Sequence, residues 1–172
     1  MNLFQLFKAS LMEPKKQAAV RIMTIGKILR YVFALILLMT LVSFIELATG
    51  LGDTAGNMEG LLDFVEEIQF LLYPFAFVFL FVSTTLYHFV KISLFAMIGV
   101  AFVRLKKRKG EYRHLWRTAA LAVTVPTLLS FAFSFFGVSF WVTMALSLLT
   151  VLYLHLATNY YPKQPPVKNT PA

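Results

Sequence analysis

From Phe70 to Phe102 the chain runs for 33 residues in which Lys91 is the only Lys, Arg, Asp or Glu. A surface helix of a water-soluble domain needs a polar face, and this run has none of useful width. It also exceeds the roughly 20 apolar residues that carry an α-helix across the hydrocarbon of a bilayer. Apolar runs of spanning length also cover residues 28–48, 118–136 and 138–158. Composition agrees: charged residues make up 14% of the chain, against about 25% in soluble domains, and the mean hydropathy is +0.73. The sequence therefore predicts an all-α, polytopic membrane protein with four transmembrane helices.

As one helix, the 70–102 run would measure roughly 50 Å, against about 30 Å of hydrocarbon. No Gly-Pro or Asn-Gly pair supplies hairpin chemistry inside it. The expectation is one long helix whose last turns, after His88 and Lys91, leave the membrane core. Pro126 should kink the third span, and Gly137 alone separates it from the fourth, so these two form an antiparallel hairpin. Ala48-Thr49-Gly50 loosely resembles a signal-peptide cleavage site. The apolar run before it is longer than a signal peptide's 7 to 15 residues, which favours an uncleaved anchor.

Charge gives an independent test of the span count. Lys8, Lys15, Lys16, Arg21, Lys27 and Arg30 precede the first span; Arg104, Lys106, Lys107, Arg108, Lys109, Arg113 and Arg117 separate the second and third; Lys163 and Lys168 follow the fourth. The segment from Glu46 to Gln69 carries no Lys or Arg but holds Glu46, Asp53, Glu59, Asp63, Glu66 and Glu67. Basic residues in short loops mark the cytoplasmic side, so both termini are expected there. The net charge of +8 thus reports orientation, and nucleic acid is not an expected partner.

Outside the spans the chain divides into an N-terminal segment, 1–27, the helical domain, 28–158, and a tail, 159–172. Leu3, Phe4, Leu6, Phe7, Leu11 and Met12 recur at helical spacing up to Glu13-Pro14. This is the pattern of an amphipathic helix lying on the inner leaflet, or packed on the protein's own helices. Gly50, Gly52, Gly56 and Gly60 read as a flexible loop, and the second helix should begin just after them. The acidic residues of that segment read as a solvated face, with a cation site as the sharper alternative. Lys106, Lys107, Arg108, Lys109 and Arg113 are candidate contacts for anionic lipid headgroups.

Chemistry-bearing residues are few. There is no Cys, which removes thiolate metal sites and a Cys nucleophile. Ser139, Thr143 and Ser147 repeat every four residues, a small-residue stripe suited to close helix packing. Neither paired aspartates nor an HExxH helix occurs, so no catalytic residue, metal site or cofactor is expected, and the chain is read as not an enzyme. His88, Lys91 and His155 are ionisable groups at membrane depth, where charge is costly, and form a candidate intramembrane polar site.

The run Phe7-Lys-Ala-Ser-Leu-Met-Glu-Pro-Lys-Lys16 with Arg21 and Ile25-Gly-Lys-Ile-Leu-Arg-Tyr-Val-Phe33 resembles a family of small bacterial integral membrane proteins of unknown function. Some of its members carry the description maltodextrin-utilisation protein. Glu111-Tyr-Arg-His-Leu-Trp-Arg-Thr-Ala-Ala120, leading into Val123-Thr-Val-Pro-Thr-Leu-Leu129, is similar to that family's entry into its penultimate helix. The resemblance implies a Gram-positive plasma-membrane protein without an established activity. Members commonly carry a larger extracytoplasmic insertion between the first two spans, which is shortened here to about 20 residues.

Eighteen Phe residues and few polar groups within the spans suit lipid and partner helices better than an aqueous path. The expected function is a non-enzymatic accessory or scaffolding subunit contacting membrane lipids, another membrane protein or a second copy of itself. The alternative is a small transporter or channel subunit using His88, Lys91 and His155 near the Pro126 kink.

Overall fold

The structure, a computed structural model, describes residues 3–12, 14–56, 61–134 and 140–164. Glu13, Glu59, Gly60, Gly137, Ser139 and Lys168 lie outside these. Among the described residues seven α-helices follow one another: α1 (Leu3–Met12), α2 (Pro14–Ala19), α3 (Ile25–Gly56), α4 (Leu61–Leu105), α5 (Tyr112–Ala122), α6 (Thr124–Ser134) and α7 (Phe140–Thr158), with a 3-10 turn at Val20–Ile22. No strand occurs among the described residues; Arg108 and Lys163 form an isolated antiparallel bridge. Among the described residues three helical stretches are long and apolar enough to cross a membrane: Ile25–Leu51, Asp63–Leu105 and Tyr112–Phe133. Of the four spans expected, the last is the shorter apolar helix Met144–Thr158 within α7.

The long apolar run is one uninterrupted helix of 45 residues, with Pro74 inside it. α3 continues through Gly50 and Gly52 to Gly56, where the sequence suggested a loop. Each glycine weakens a helix by about 1 kcal/mol relative to alanine but, unlike proline, removes no backbone hydrogen bond. Thr49 Oγ1 adds bonds to the carbonyls of Ile45 (2.9 Å) and Glu46 (3.1 Å) just before the first of them. The stretch expected as one kinked span is two helices meeting at Val123. Proline clashes with the carbonyl four residues back, and that residue is Ala122, where α5 ends. Pro126 then lies in the first turn of α6, where a missing N–H leaves no intrahelical bond unmade.

The chain forms two compact units. One, Arg30–Val90, pairs the greater part of α3 with the first two-thirds of α4. Phe44 stands edge-on to Tyr73 and Phe77, with ring centroids 6.1 and 5.5 Å away, and Phe33 meets Phe89 at 5.8 Å. Later residues of α3 thus meet earlier residues of α4, so the helices run antiparallel. Tyr31, Val32, Leu35, Ile36, Met39 and Thr40 make a single buried stripe along α3. Much of α4 faces outward with apolar side chains: Phe70, Leu71, Phe75, Val78, Phe79, Val82 and Leu86 are all exposed.

The other unit comprises the described residues of Met1–Leu29 and Lys91–Ala172. Its centre is the stretch Thr118–Thr124, buried at every position. The 3-10 turn and α1 pack on α5, α2 on α7, and α6 on α7. Leu6, Ala9 and Ser10 of α1 face this core, whereas Phe4 and Leu11 are exposed. Gly99 marks the close approach of α4: a Cβ there would lie 3.1 Å from both Leu115 and Leu154 side chains.

Candidate functional site

The polar chemistry of the second unit gathers where the 3-10 turn, the 106–111 loop, the start of α5 and residues 159–164 come together. α4 ends in a Schellman-type turn. Arg108 N–H donates to the Val103 carbonyl (2.9 Å) and Lys107 N–H to that of Arg104 (3.0 Å). Lys107 takes the left-handed conformation, φ 51°, that this turn requires. Lys109 N–H then bonds the Pro162 carbonyl (2.7 Å) and Gln164 N–H that of Lys107 (3.1 Å), tying the chain after α7 to the loop. Glu111 caps α5: its side chain accepts from the His114 amide, and its own N–H donates to His114 Nδ1 at 3.3 Å.

Tyr161, buried, links these pieces. Its hydroxyl lies 2.8 Å from Thr118 Oγ1 and donates to the His114 carbonyl at 3.2 Å. The Arg21 guanidinium covers the Tyr161 ring, 5.1 Å from its centroid, and Arg117 Nη1 donates to the Arg21 carbonyl at 2.7 Å. Burial pushes the Tyr161 hydroxyl above its usual pKa, against smaller opposing effects from the Thr118 bond and the Arg21 and Arg117 charges. Gly110 must be small here, since a Cβ would meet the Tyr161 ring at 3.0 Å.

The five basic residues expected at lipid headgroups have different surroundings. Lys106 Nζ caps the end of α7, donating to the His155 carbonyl (2.7 Å), Thr158 Oγ1 (3.0 Å) and Asn159 Oδ1 (2.7 Å). Desolvation, and then the neighbouring Arg108 charge, lower its pKa. Arg108 Nη1 donates to the Tyr161 carbonyl, and Arg113 pairs with Glu111 at 2.6 Å with both side chains largely exposed. Lys107 and Lys109 are exposed. Beside them an open apolar groove of about 610 Å³ is lined by Met97, Val100, Ala101, Leu105 and Tyr112, with Arg104 also in its wall.

His88, Lys91 and His155 are set apart by their partners. His88 belongs to the Arg30–Val90 unit; it is buried, and its Nδ1 bonds the Thr84 carbonyl at 3.0 Å. A carbonyl only accepts, so Nδ1 carries the proton. Lys91 Nζ donates to Thr127 Oγ1 at 3.1 Å. The exposed His155 ring stands edge-on to Phe102 at 5.1 Å. Phe102 lies 11 residues beyond Lys91 on α4, or about 16 Å along its axis, which separates His155 from Lys91. Among the described residues no three His, Asp or Glu side chains come together as a metal site would need.

Sequence reasoning singled out the basic loop but passed over Arg21, Arg117, Thr118 and Tyr161. Their only signal was the placement of arginines at the two ends of apolar segments, and charge counting had already accounted for that. Residues 50–158 match the protein family described as Protein of unknown function (DUF1189). No curated protein and no solved structure matches the chain.

Proposed function

The chain belongs to that family of unknown function, and on the physical features of its own residues we propose that it is a non-enzymatic integral membrane protein, an accessory or scaffolding subunit that contacts anionic lipid or another membrane protein. The observation that carries this reading is the uncovered apolar surface of α4: Phe70 is 91% exposed, and Phe75, Phe79, Leu86, Val90, Leu94 and Met97, which share another side of the helix, are exposed as well. In water that much uncovered aromatic and aliphatic surface would be a strong liability; acyl chains or a partner helix cover it without cost. The 610 Å³ groove fits the same role: its apolar wall suits an acyl chain, and Arg104 suits an anionic headgroup.

The setting is a bacterial plasma membrane of the Gram-positive type, as the sequence resemblance implies. Four helices span it, with α7 as the fourth: its 19 residues rise about 28 Å, close to the thickness of the hydrocarbon. The segregation of Lys and Arg from the acidic 46–69 segment supports cytoplasmic termini. α1 is the interfacial helix, with exposed Phe4 and Leu11 available to the headgroup region while Leu6 and Ala9 pack inward.

Purification in mild detergent followed by identification of co-purifying proteins and lipids tests the role. Reproducible recovery of a membrane-protein partner, or of anionic over zwitterionic lipid, is expected. Recovery of neither overturns the reading. So does solute flux in reconstituted vesicles that is lost on substituting His88 and His155 with assembly intact. Protease or reporter accessibility should place Lys106–Lys109 inside and Asp53–Glu59 outside; the reverse rejects the topology.

A further inference from the structure

We infer that the loop before α5 forms a binding site for a phosphate group, built from Arg21, Lys109 and His114 with Arg117 behind them. A cavity of about 180 Å³ lies there, lined by Arg21, Ile22, Lys109, Gly110, Glu111, His114 and Pro162. Water occupies roughly 30 Å³ per molecule in the liquid. The space therefore holds a tetrahedral phosphate together with the first atoms of whatever carries it.

Two features mark it as a site for an anion rather than a gap between side chains. The first is an unbalanced charge. Arg21, Lys109, Arg113 and Arg117 converge where Glu111 supplies the only carboxylate among the described residues of this cluster, and Glu111 is already engaged by Arg113 and by the first turn of α5. Among the described residues the ion pair of this cluster is that of Arg113 with Glu111. Like charges brought together in this way repel, unless an anion sits among them.

The second feature is a pair of unused donors. Arg21 Nη1 and Arg117 Nε are both shielded from solvent and have no hydrogen-bond partner among the described residues. Buried guanidinium N–H groups without acceptors are costly, and here the two side chains are joined through the Arg117 bond to the Arg21 carbonyl. Arg21 lines the cavity and Arg117 stands behind its wall, and a guanidinium's planar donors match the oxygens of a phosphate better than those of a neutral ligand. His114 contributes in its neutral form: its Nδ1 accepts from the Glu111 amide, so Nε2 carries the proton and can donate.

The shared chemistry is a phosphate monoester or diester, carried by a lipid headgroup or by a soluble phosphate ester. A lipid would deepen the lipid-contact role proposed above, but the site does not depend on that role, since inorganic phosphate meets the same donors. Failure of co-purification would reject the accessory reading and leave this site standing, whereas the following titration addresses the site alone.

Thermal unfolding of the detergent-purified full chain is measured against inorganic phosphate, glycerol phosphate and dioctanoyl phosphatidic acid, each at ionic strength matched with sodium chloride. Saturable stabilisation by at least one phosphate probe is expected, with the apparent affinity weakened at least tenfold by Arg21→Gln and by Lys109→Gln. Stabilisation by phosphatidic acid alone identifies a lipid headgroup; stabilisation by the soluble probes identifies a phosphate ester; both support the site. Arg21 also contacts Tyr161, so the exposed Lys109 provides the variant that leaves packing intact. Lys107→Gln, which removes an equal charge from outside the cavity, should change the affinity less than twofold. No saturable effect beyond sodium chloride overturns the proposal, and so does a Lys107→Gln loss equal to that of Lys109→Gln.

Discussion

Lys91 Nζ donates a hydrogen bond to Thr127 Oγ1 at 3.1 Å, joining the long helix α4 to α6 one residue after Pro126. Thr127 is buried, and its amide also bonds the Val123 carbonyl (3.0 Å) across the break between α5 and α6. A hydrogen bond to a charged donor typically contributes about 1.5–3 kcal/mol, and removing one partner leaves the other desolvated. Thr127→Val should therefore destabilise the protein by about that amount, while Lys91→Met combined with Thr127→Val should cost clearly less than the two single changes together. Denaturant unfolding in micelles measures all four forms of the cycle. Strict additivity would show that the pair is not coupled.

Two glycines are constrained differently. At Gly99 an added Cβ meets the flexible ends of Leu115 and Leu154, each at 3.1 Å, and these can shift. The gain in helix propensity, about 1 kcal/mol, offsets that crowding, so Gly99→Ala is expected near neutral. Gly99→Val should cost about 1–3 kcal/mol through overpacking. Gly110 lies outside any helix and faces the Tyr161 ring, which its hydrogen bonds hold in place. Gly110→Ala should accordingly destabilise more than Gly99→Ala when melting temperatures are compared.

Lys107 holds the left-handed position at the end of α4, φ 51°, in a turn that ordinarily uses glycine. An L side chain there costs about 1 kcal/mol in backbone strain. Lys107→Gly is expected to raise stability by up to about 1 kcal/mol, somewhat reduced by the greater freedom glycine has when unfolded. A lower melting temperature for Lys107→Gly would contradict this account of the turn.

The helices were legible because their signals are local. The apolar run around Lys91 specifies a long helix by continuity alone, and α4 is that helix. Pro126 located a discontinuity, and the i−4 clash places it at Val123 rather than at the proline. Glycine spacing in Gly50–Gly56 reads as a loop, but it does not show whether the preceding helix has reason to stop, and α3 runs through it. The basic cluster was legible as charge but not as structure. In sequence Lys106, Arg108 and Arg113 are equivalent positive residues; in the fold they cap α7, hold the Tyr161 carbonyl and pair with Glu111. Arg21 and Tyr161 lie far apart in the chain, and no periodicity relates them.

Tyr161 makes stability depend on alkaline pH. Burial raises its pKa in the folded protein above the unfolded value of about 10, so folding favours the protonated phenol. Such a group contributes stability that is fully present below about pH 10 and is lost as pH rises through the folded pKa. Ionisation also removes the proton that Tyr161 donates to the His114 carbonyl. The melting temperature should fall steeply above pH 10 as the junction between the 3-10 turn, α5 and residues 159–164 loosens. Other tyrosines and lysines titrate in the same range, so the informative quantity is the difference from Tyr161→Phe. That variant should be less stable at pH 7, through loss of a hydrogen bond contributing about 1 kcal/mol, and should show a shallower decline above pH 10. Parallel curves for the two proteins from pH 8 to 11 would remove Tyr161 as the origin of the effect.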